Sequence, residues 1–503
     1  MNPLRSEDRN PAEMRVRQSS LKINPALADG VLSWPQRRAW LCAFRRVVAA
    51  HARDMARLIS SEIGKPEGEA YVSEILPLLA AISWHLRHAE KLLRVRRVGI
   101  GPLWMLGRSV RVGRAPLGSV LLIATWNYPI GLLGVQLVQA ITAGNRVIVK
   151  PSERSPASQH MLVRCAASCG LPKEWITVAD ATAHAGALLV REGAYDKVLF
   201  TGGALAGASV ARDAALALKP SVLELSGHDT ALVMADADAK RAAQRIWLAI
   251  SMNAGQTCMA PRRVLVHRSV YHQFLAALAP LAAEARPQRL VCDSQALHCE
   301  RLVQDALANG ARSVSGVAEP ARDGWIRPLA IVDCPVDVLL SEGAHFGPVI
   351  AVMVVENLEQ ALRIHAAGRH RLAVSVYTRS PGRWQGDANF IRQLDASVIT
   401  FNESVTPTGH PAISIAGLGA SGWGASRGAA GLLELTRPIS ISITAAWTPA
   451  AVAPTEAQLL WLDRMVRWWN AAKPAKTLAI LRSPMVATPR EVKAAPTHMK
   501  ECI

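Results

Sequence analysis

At 503 residues the chain is too long for a single compact core, so two or three domains are expected. Half of its residues are hydrophobic, with 34 Gly and 30 Pro, which excludes wholesale disorder and suits a globular α/β protein. The formal net charge of +18 invites a nucleic-acid reading, but no zinc finger, RRM signature or aromatic–basic repeat accompanies it. A solvated basic face is the simpler account, and no nucleic-acid partner is expected.

Residues 1–33 are polar and without clear period, which predicts a flexible N-terminus. Arg5, Arg9, Arg15 and Arg17 have no apolar stretch behind them, so a signal peptide is not expected. From Trp34 a long helical pattern runs through Arg45, Ala56 and Ile59 to Ile63, where Gly64 and Pro66 stop it. A second helix is predicted over Glu69–Leu93, then an arm near 94–116 carrying Arg94, Arg96, Arg97, Arg108, Arg111 and Arg114. Ala115 to Asn145 contains no charged residue and has the length of a membrane span. Trp126-Asn127-Tyr128-Pro129 interrupts it, and Gln136 and Gln139 follow, so it reads as a buried strand (Val120–Ala124), a polar turn and a helix from about Ile130.

Strand-like runs then alternate with helix-like ones: Arg146–Lys150, Trp175–Val178, Lys197–Phe200 and Ser221–Leu225. A second series comprises Arg263–Val266, Leu329–Val332, Val349–Val354, Leu372–Tyr377 and Ser397–Thr400. The alternation implies βαβ units and mostly parallel sheets. Pro438–Ala445 alternates apolar and polar residues as a half-exposed strand would. Beyond Trp447, Ala/Pro-rich spacers flank a helix over Glu456–Asn470. Its Trp461, Met465, Trp468 and Trp469 share one face, with Arg464 and Arg467 beside it. Such a face packs on its own domain or a neighbouring subunit, or lies in a membrane interface.

The chemistry starts at Cys258, at the end of Asn253-Ala254-Gly255-Gln256-Thr257-Cys258, and at Glu224, 34 residues earlier (258 − 224). A thiol attacks only as thiolate, and a carboxylate in a dry pocket has its pKa raised toward neutrality and can activate water. A cysteine after Gln-Thr is, on its own, most often a small core residue. The other cysteines are scattered, with no C-x-x-C pair and no zinc spacing, so neither a disulfide framework nor a metal site is indicated and a reducing compartment fits.

Further motifs surround that pair in fixed order. Trp126-Asn127-Tyr128-Pro129 and Lys150-Pro151-Ser152-Glu153 stand at successive strand ends. Phe200-Thr201-Gly202-Gly203, with Gly207, opens a helix, and Phe346-Gly347-Pro348 and Asn402 come after Cys258. Each is weak alone. Together they resemble the aldehyde dehydrogenase superfamily, from roughly Trp34 to Ala445.

The resemblance implies a Rossmann-like parallel-sheet cofactor domain (34–226), a second α/β catalytic domain (227–425), a return segment with a small β oligomerisation arm (426–446) and a C-terminal extension (447–503). It implies NAD as cofactor, with NADP as the second option. Thr125, Trp126, Lys150, Ser152, Glu153, Gly202, Gly203, Gly207, Leu225 and Phe346 are implied to bind it. A carboxylate at Glu153 suits a free ribose 2′-hydroxyl better than a phosphate. Cys258 is implied to attack an aldehyde, Asn127 to hold the developing oxyanion, where one such donor is worth roughly 3–4 kcal/mol, and Glu224 to activate water against the thioester. The reaction implied is aldehyde plus NAD and water giving acid plus NADH. Leu, Ala and Trp around Ile130–Ala140 and Trp247 favour a lipophilic aldehyde. A homodimer or homotetramer is implied, cytoplasmic or membrane-associated through the C-terminal helix.

Departures from the pattern are Ala344 where a ribose-binding carboxylate is usual, with Glu342 two residues before it. Others are Gly203 for a common Ser, Ser226-Gly227-His228 for Gly-Gly-Lys, and Ile415-Ala416-Gly417-Leu418-Gly419 for Pro-Phe-Gly-Gly. Ala344 motivates one alternative, a catalytically weakened scaffold; the basic character of the chain leaves a second, a basic membrane-binding protein with this fold.

Overall fold

The computed structural model describes residues 31–99, 101, 105–316, 318–338, 340, 345–448 and 455–470. Ala344 and Glu342 lie outside the described residues, as do nearly all of the N-terminal segment and everything after Asn470.

The first helical pattern forms two helices, α1 (Trp34–Ala50) and α2 (Ala52–Ile63), because the chain bends at His51 (φ −99°, ψ 13°). Gly64 ends α2 in the left-handed region (φ 74°), where a side chain would be strained. The second predicted helix is also divided. Glu67–Ala70 runs into one π-helical turn, Tyr71–Ile75, and then into α3 (Leu76–Leu93). The wider turn carries Glu74 into the interior.

Arg96–Arg97 (β1) and Arg108–Pro116 (β2) form the arm. Next come β3 (Ser119–Ile123), α4 (Gly131–Ala143), β4 (Arg146–Lys150), β5 (Ile176–Val178), β6 (Lys197–Thr201), α5 (Ala204–Leu216) and β7 (Ser221–Glu224). Helix α4 is buried all round, which is why its stretch of sequence imitates a membrane span. Among the described residues no helix is long and apolar enough to cross a membrane.

The second series begins one strand earlier than expected, at β8 (Asp229–Val233). It continues through β9 (Pro261–His267), α6 (Arg268–Ala283), β10 (Arg312–Ser313), β11 (Leu329–Val332), β12 (Val349–Val355), α7 (Leu358–Ala366), β13 (Ala373–Tyr377) and β14 (Val398–Phe401). The last elements among the described residues include β15 (Gly422–Trp423), β16 (Thr436–Thr444) and α8 (Glu456–Trp469).

The first large sheet has the order β15-β7-β6-β3-β4-β5, and the second β10-β11-β12-β9-β8-β13-β14. Only β15 and β10 run antiparallel to their neighbours; the other pairs are parallel, as the βαβ pattern predicts. The predicted α/β architecture is therefore observed, in two parallel-rich sheets with helical cover. Strand β16 is the edge of a small sheet, β1-β2-β16. It was expected to be half-exposed, but only Thr436 and Ile439 along it are covered, and Ile441 and Ile443 face solvent.

Two compact units can be separated. One, up to Val98 and from Arg111 to Ile441, holds both large sheets. The other comprises Gly99–Val110 and the chain from Ser442 onward, including α8. Thr455 and Gln458 close the start of α8 in a capping box, the Thr455 hydroxyl accepting from the Gln458 N–H. Its Leu459, Leu460, Trp461, Val466 and Trp468 are exposed.

Candidate active site

The carboxyl ends of β3, β6 and β7 lie side by side, the usual ligand edge of a parallel sheet. They deliver Thr125-Trp126-Asn127, Thr201-Gly202-Gly203 and Glu224-Leu225 to one cavity of about 1050 Å³. Cys258, Phe346 and Arg427 come to the same cavity from later parts of the chain. Thus Cys258, Glu224 and Asn127, 131 residues apart in sequence (258 − 127), share a lining.

The loop carrying the sulfur is bent hard. Asn253 (φ 50°), Ala254 (φ 52°) and Gly255 (φ 71°) are successively left-handed, an arrangement that costs roughly 1–2 kcal/mol for each residue bearing a β-carbon. Glycine is required at 255, since a β-carbon there would stand 2.4 Å from the Gly347 carbonyl. Arg262, wholly buried, ties the two segments together. It donates to Gly347 O (2.6 Å), Thr257 O (3.1 Å) and Gly255 O, and stands 5.9 Å from the Phe346 ring. The strain in one turn is thereby held by a charge-assisted clamp.

Asn127 is buried at the turn after β3. Its Oδ1 accepts from the Thr125 hydroxyl (3.0 Å) and its Nδ2 donates to Gln256 O (3.0 Å). An amide nitrogen carries two protons, so one remains for an oxygen in the cavity. The turn is fixed from behind by Lys65, whose Nζ donates to Asn127 O (2.9 Å) and to Glu74 (2.5 Å) and lies 3.8 Å from the Tyr128 ring. Glu74 in turn accepts from the Ile130 and Gly131 N–H groups at the start of α4, where negative charge is favoured. Glu69 accepts from Asn253 N–H (2.5 Å), and the Tyr128 and Thr257 hydroxyls meet at 2.5 Å. The turn carrying Asn127 and the loop carrying Cys258 are thus one cross-linked unit.

Glu224 accepts from Gln136 Nε2 (3.1 Å). Burial holds its carboxyl above the ordinary carboxylate range, while Ser426, Arg427 and Gln136 act the other way. Burial, with the Glu224 and Asp229 carboxylates, pushes the Cys258 thiol up to about 12, against the Arg427 charge. This chain's own groups therefore disfavour the thiolate on balance, burial and two acids outweighing one guanidinium. Arg427 is itself left-handed (φ 59°) and donates through Nη1 to Thr408 O (2.9 Å).

Lys150, Ser152, Glu153 and Gly207 do not line the cavity. Lys150 is ion-paired with Glu153 at the end of β4, the Ser152 N–H donates to Gln159 (2.6 Å), and Gly207 packs on Leu225. Asn402 is a turn residue (φ 58°) whose Oδ1 accepts from Thr378 N–H (2.9 Å). Gly227, in the departed Ser226-Gly227-His228 stretch, passes so close to Cys258 that a β-carbon on it would stand 2.5 Å from the Cys258 carbonyl. Among the described residues no cluster of three or more metal-ligating acids, histidines or cysteines occurs. Sequence reasoning missed Arg427, Arg262, Glu69, Lys65 and Glu74.

Comparison with known proteins shows the family. Residues 28–441 match the aldehyde dehydrogenase family, and the chain belongs to that family. It is 28% identical over 415 residues to a 4,4′-diapolycopene-4,4′-dial dehydrogenase of Cytobacillus firmus, covering 81% of this chain and 89% of that one. It is 31% identical over 395 residues to a 4,4′-diapolycopene aldehyde oxidase of a Methylomonas species, covering 77% and 73%. Among solved structures it resembles an NADP-dependent glyceraldehyde-3-phosphate dehydrogenase of Bacillus halodurans in complex with NADP, with TM-score 0.76, 26% identity and 83% and 88% coverage.

Proposed function

We propose that the protein oxidises a lipophilic aldehyde to its carboxylic acid with NAD or NADP, through Cys258, Asn127 and Glu224. The observation that carries the reading is the single cavity lined by all three.

The residues fit a dinucleotide. Gly203 caps α5 without a side-chain bond, nothing stands within 4 Å of where its β-carbon would be, and the helix N-terminus is free for a pyrophosphate. Lys150 and Glu153 would hold the adenosine ribose, and Thr125, Trp126, Leu225 and Phe346 would flank the nicotinamide end. When bound, the nicotinamide supplies the hydride acceptor.

The Cys258 sulfur, its proton passing to solvent water, adds to the aldehyde carbon, and the oxygen that takes up negative charge is held by the second Asn127 Nδ2 proton. Loss of hydride leaves a thioester on Cys258. Glu224 then removes a proton from water, which adds to the thioester carbonyl; the C–S bond breaks and the acid leaves, with the thiolate restored. Burial raises the Glu224 pKa, the direction that strengthens a carboxylate as a base.

A lipophilic substrate is supported by the wall, where Met252, Met259, Val405 and Ile415 stand, and by Val72 (61% exposed) and Leu248 (50% exposed), which line the cavity and also face solvent. The carboxylate of Glu69 on the same wall disfavours an acidic substrate. The names of the two carotenoid-aldehyde relatives agree with this. Incubation with NAD and aldehydes of graded chain length should give NADH absorbance that rises with chain length and vanishes in Cys258→Ala. Equal rates for short polar semialdehydes would reject the lipophilic reading, and no NADH with any aldehyde would favour the scaffold alternative.

Two assembly features belong to the same reading. The exposed strand β16 is offered as a pairing edge for a second copy, giving a dimer or larger homo-oligomer. Helix α8, with exposed Trp461 and Trp468 and with Lys473, Lys476 and Arg482 soon after it in sequence, is offered as a contact for an anionic lipid surface.

A further inference from the structure

The second large sheet has a crevice of its own. The chain lays β9 on one side of β8 and later β13 on the other, so the strand order reverses between β8 and β13. In open parallel sheets such a reversal leaves room for a ligand outside the carboxyl ends of the strands. Here it holds a cavity of about 420 Å³, built from the ends of β8, β9 and β12 and the turn after β13. It shares no lining residue with the cavity of Cys258.

Its lining has three chemical parts. Leu232, Leu265, Val355 and Ala361 make an apolar floor, and Trp384, braced 4.7 Å from Phe390, offers an indole wall. Asp236 stands on the lining, where both its oxygens accept from the Thr378 hydroxyl (2.8 and 2.9 Å) and keep further lone pairs. Arg383 lies 4.9 Å from the Trp384 ring and, among the described residues, forms no ion pair. Asn357, the cap of the nine-residue α7, and His267, the cap of the sixteen-residue α6, complete the rim. An apolar molecule would leave Arg383 and Asp236 unused, and a bare anion would meet Asp236. A flat ring joined to an anion through hydroxyl groups satisfies all three parts.

We propose that this crevice is a mononucleotide site. The base packs on Trp384 and the apolar floor. The ribose hydroxyls donate to Asp236, and the phosphate is held by Arg383 and the Leu358 and Glu359 N–H groups of α7, the Gln360 N–H being taken by Asn357 Oδ1 (2.9 Å). No step of the aldehyde chemistry uses this site.

Equilibrium dialysis of adenosine 5′-monophosphate against the full chain tests it, with and without saturating NAD. With NAD present, about one nucleotide per chain should still bind, and Asp236→Ala or Arg383→Glu, both at exposed positions, should weaken that binding by about tenfold or more. Ala361→Trp, which fills the floor, should abolish it, and an unchanged thermal midpoint shows that the variant has folded. The proposal is overturned if NAD displaces all bound nucleotide, or if the NAD-resistant binding survives in both Asp236→Ala and Arg383→Glu. A chain that binds no NAD but keeps variant-sensitive nucleotide binding would refute the cofactor reading and leave this one standing.

Discussion

Around the sulfur, charge decides reactivity. Pushed up to about 12, the Cys258 thiol has a thiolate fraction that rises about tenfold per pH unit, so iodoacetamide alkylation in the absence of NAD should rise about a hundredfold between pH 7 and pH 9. Glu224→Gln removes a negative neighbour, lowers the thiol pKa and should speed alkylation several-fold while slowing turnover; Arg427→Met should do the opposite to the thiol. A rate indifferent to both changes would show that neither group sets the thiol. Cys258, Glu224 and Asn127 were legible as candidates only through the ordered set of motifs around them, each weak alone, and the structure brings the three to one cavity. Arg427 was not legible, because it reaches the sulfur only by the return of the chain some 170 residues later (427 − 258 = 169). Arg262 carried no signal either, since a guanidinium inside a strand start reads as surface until its carbonyl partners are known.

Elements were legible where burial is continuous. Arg146–Lys150 and Leu329–Val332 fall where expected because both are apolar runs buried on nearly every residue. Strand β8 was missed because it opens on a buried Asp and follows a Gly-His turn, features that read as loop. The break at His51 was missed because no Gly or Pro marks it. At this scale the Lys65–Glu74 pair is the sharpest test, both side chains being fully buried. Lys65→Met leaves Glu74 charged and unpaired in the interior, which should cost about 3–5 kcal/mol, and Lys65→Met with Glu74→Gln should recover part of it. Urea denaturation of the two variants decides this; equal midpoints for Lys65→Met and the native chain would mean that the pair does not hold the turn.

Across the whole molecule, alternation of strand and helix indicated two parallel-rich sheets, whereas the order of their strands depends on pairings that no local pattern encodes. The excess of positive charge and the tryptophans of α8 make one molecular prediction. The native chain should co-sediment with phosphatidylserine vesicles, and Trp461→Ser with Trp468→Ser should release it while leaving turnover of a water-soluble aldehyde unchanged. Sedimentation that ignores the substitutions would assign the contact to basic residues elsewhere. Strand β15, pairing Gly422 with Glu224 and Trp423 with Leu223, brings a late part of the sequence back to finish the first sheet. During synthesis, then, the nascent N-terminal half must wait with a bare β7 edge until nearly two hundred more residues have left the ribosome (422 − 224 = 198). Premature termination anywhere in that interval yields a chain whose Glu224 has neither its neighbouring strand nor its arginine.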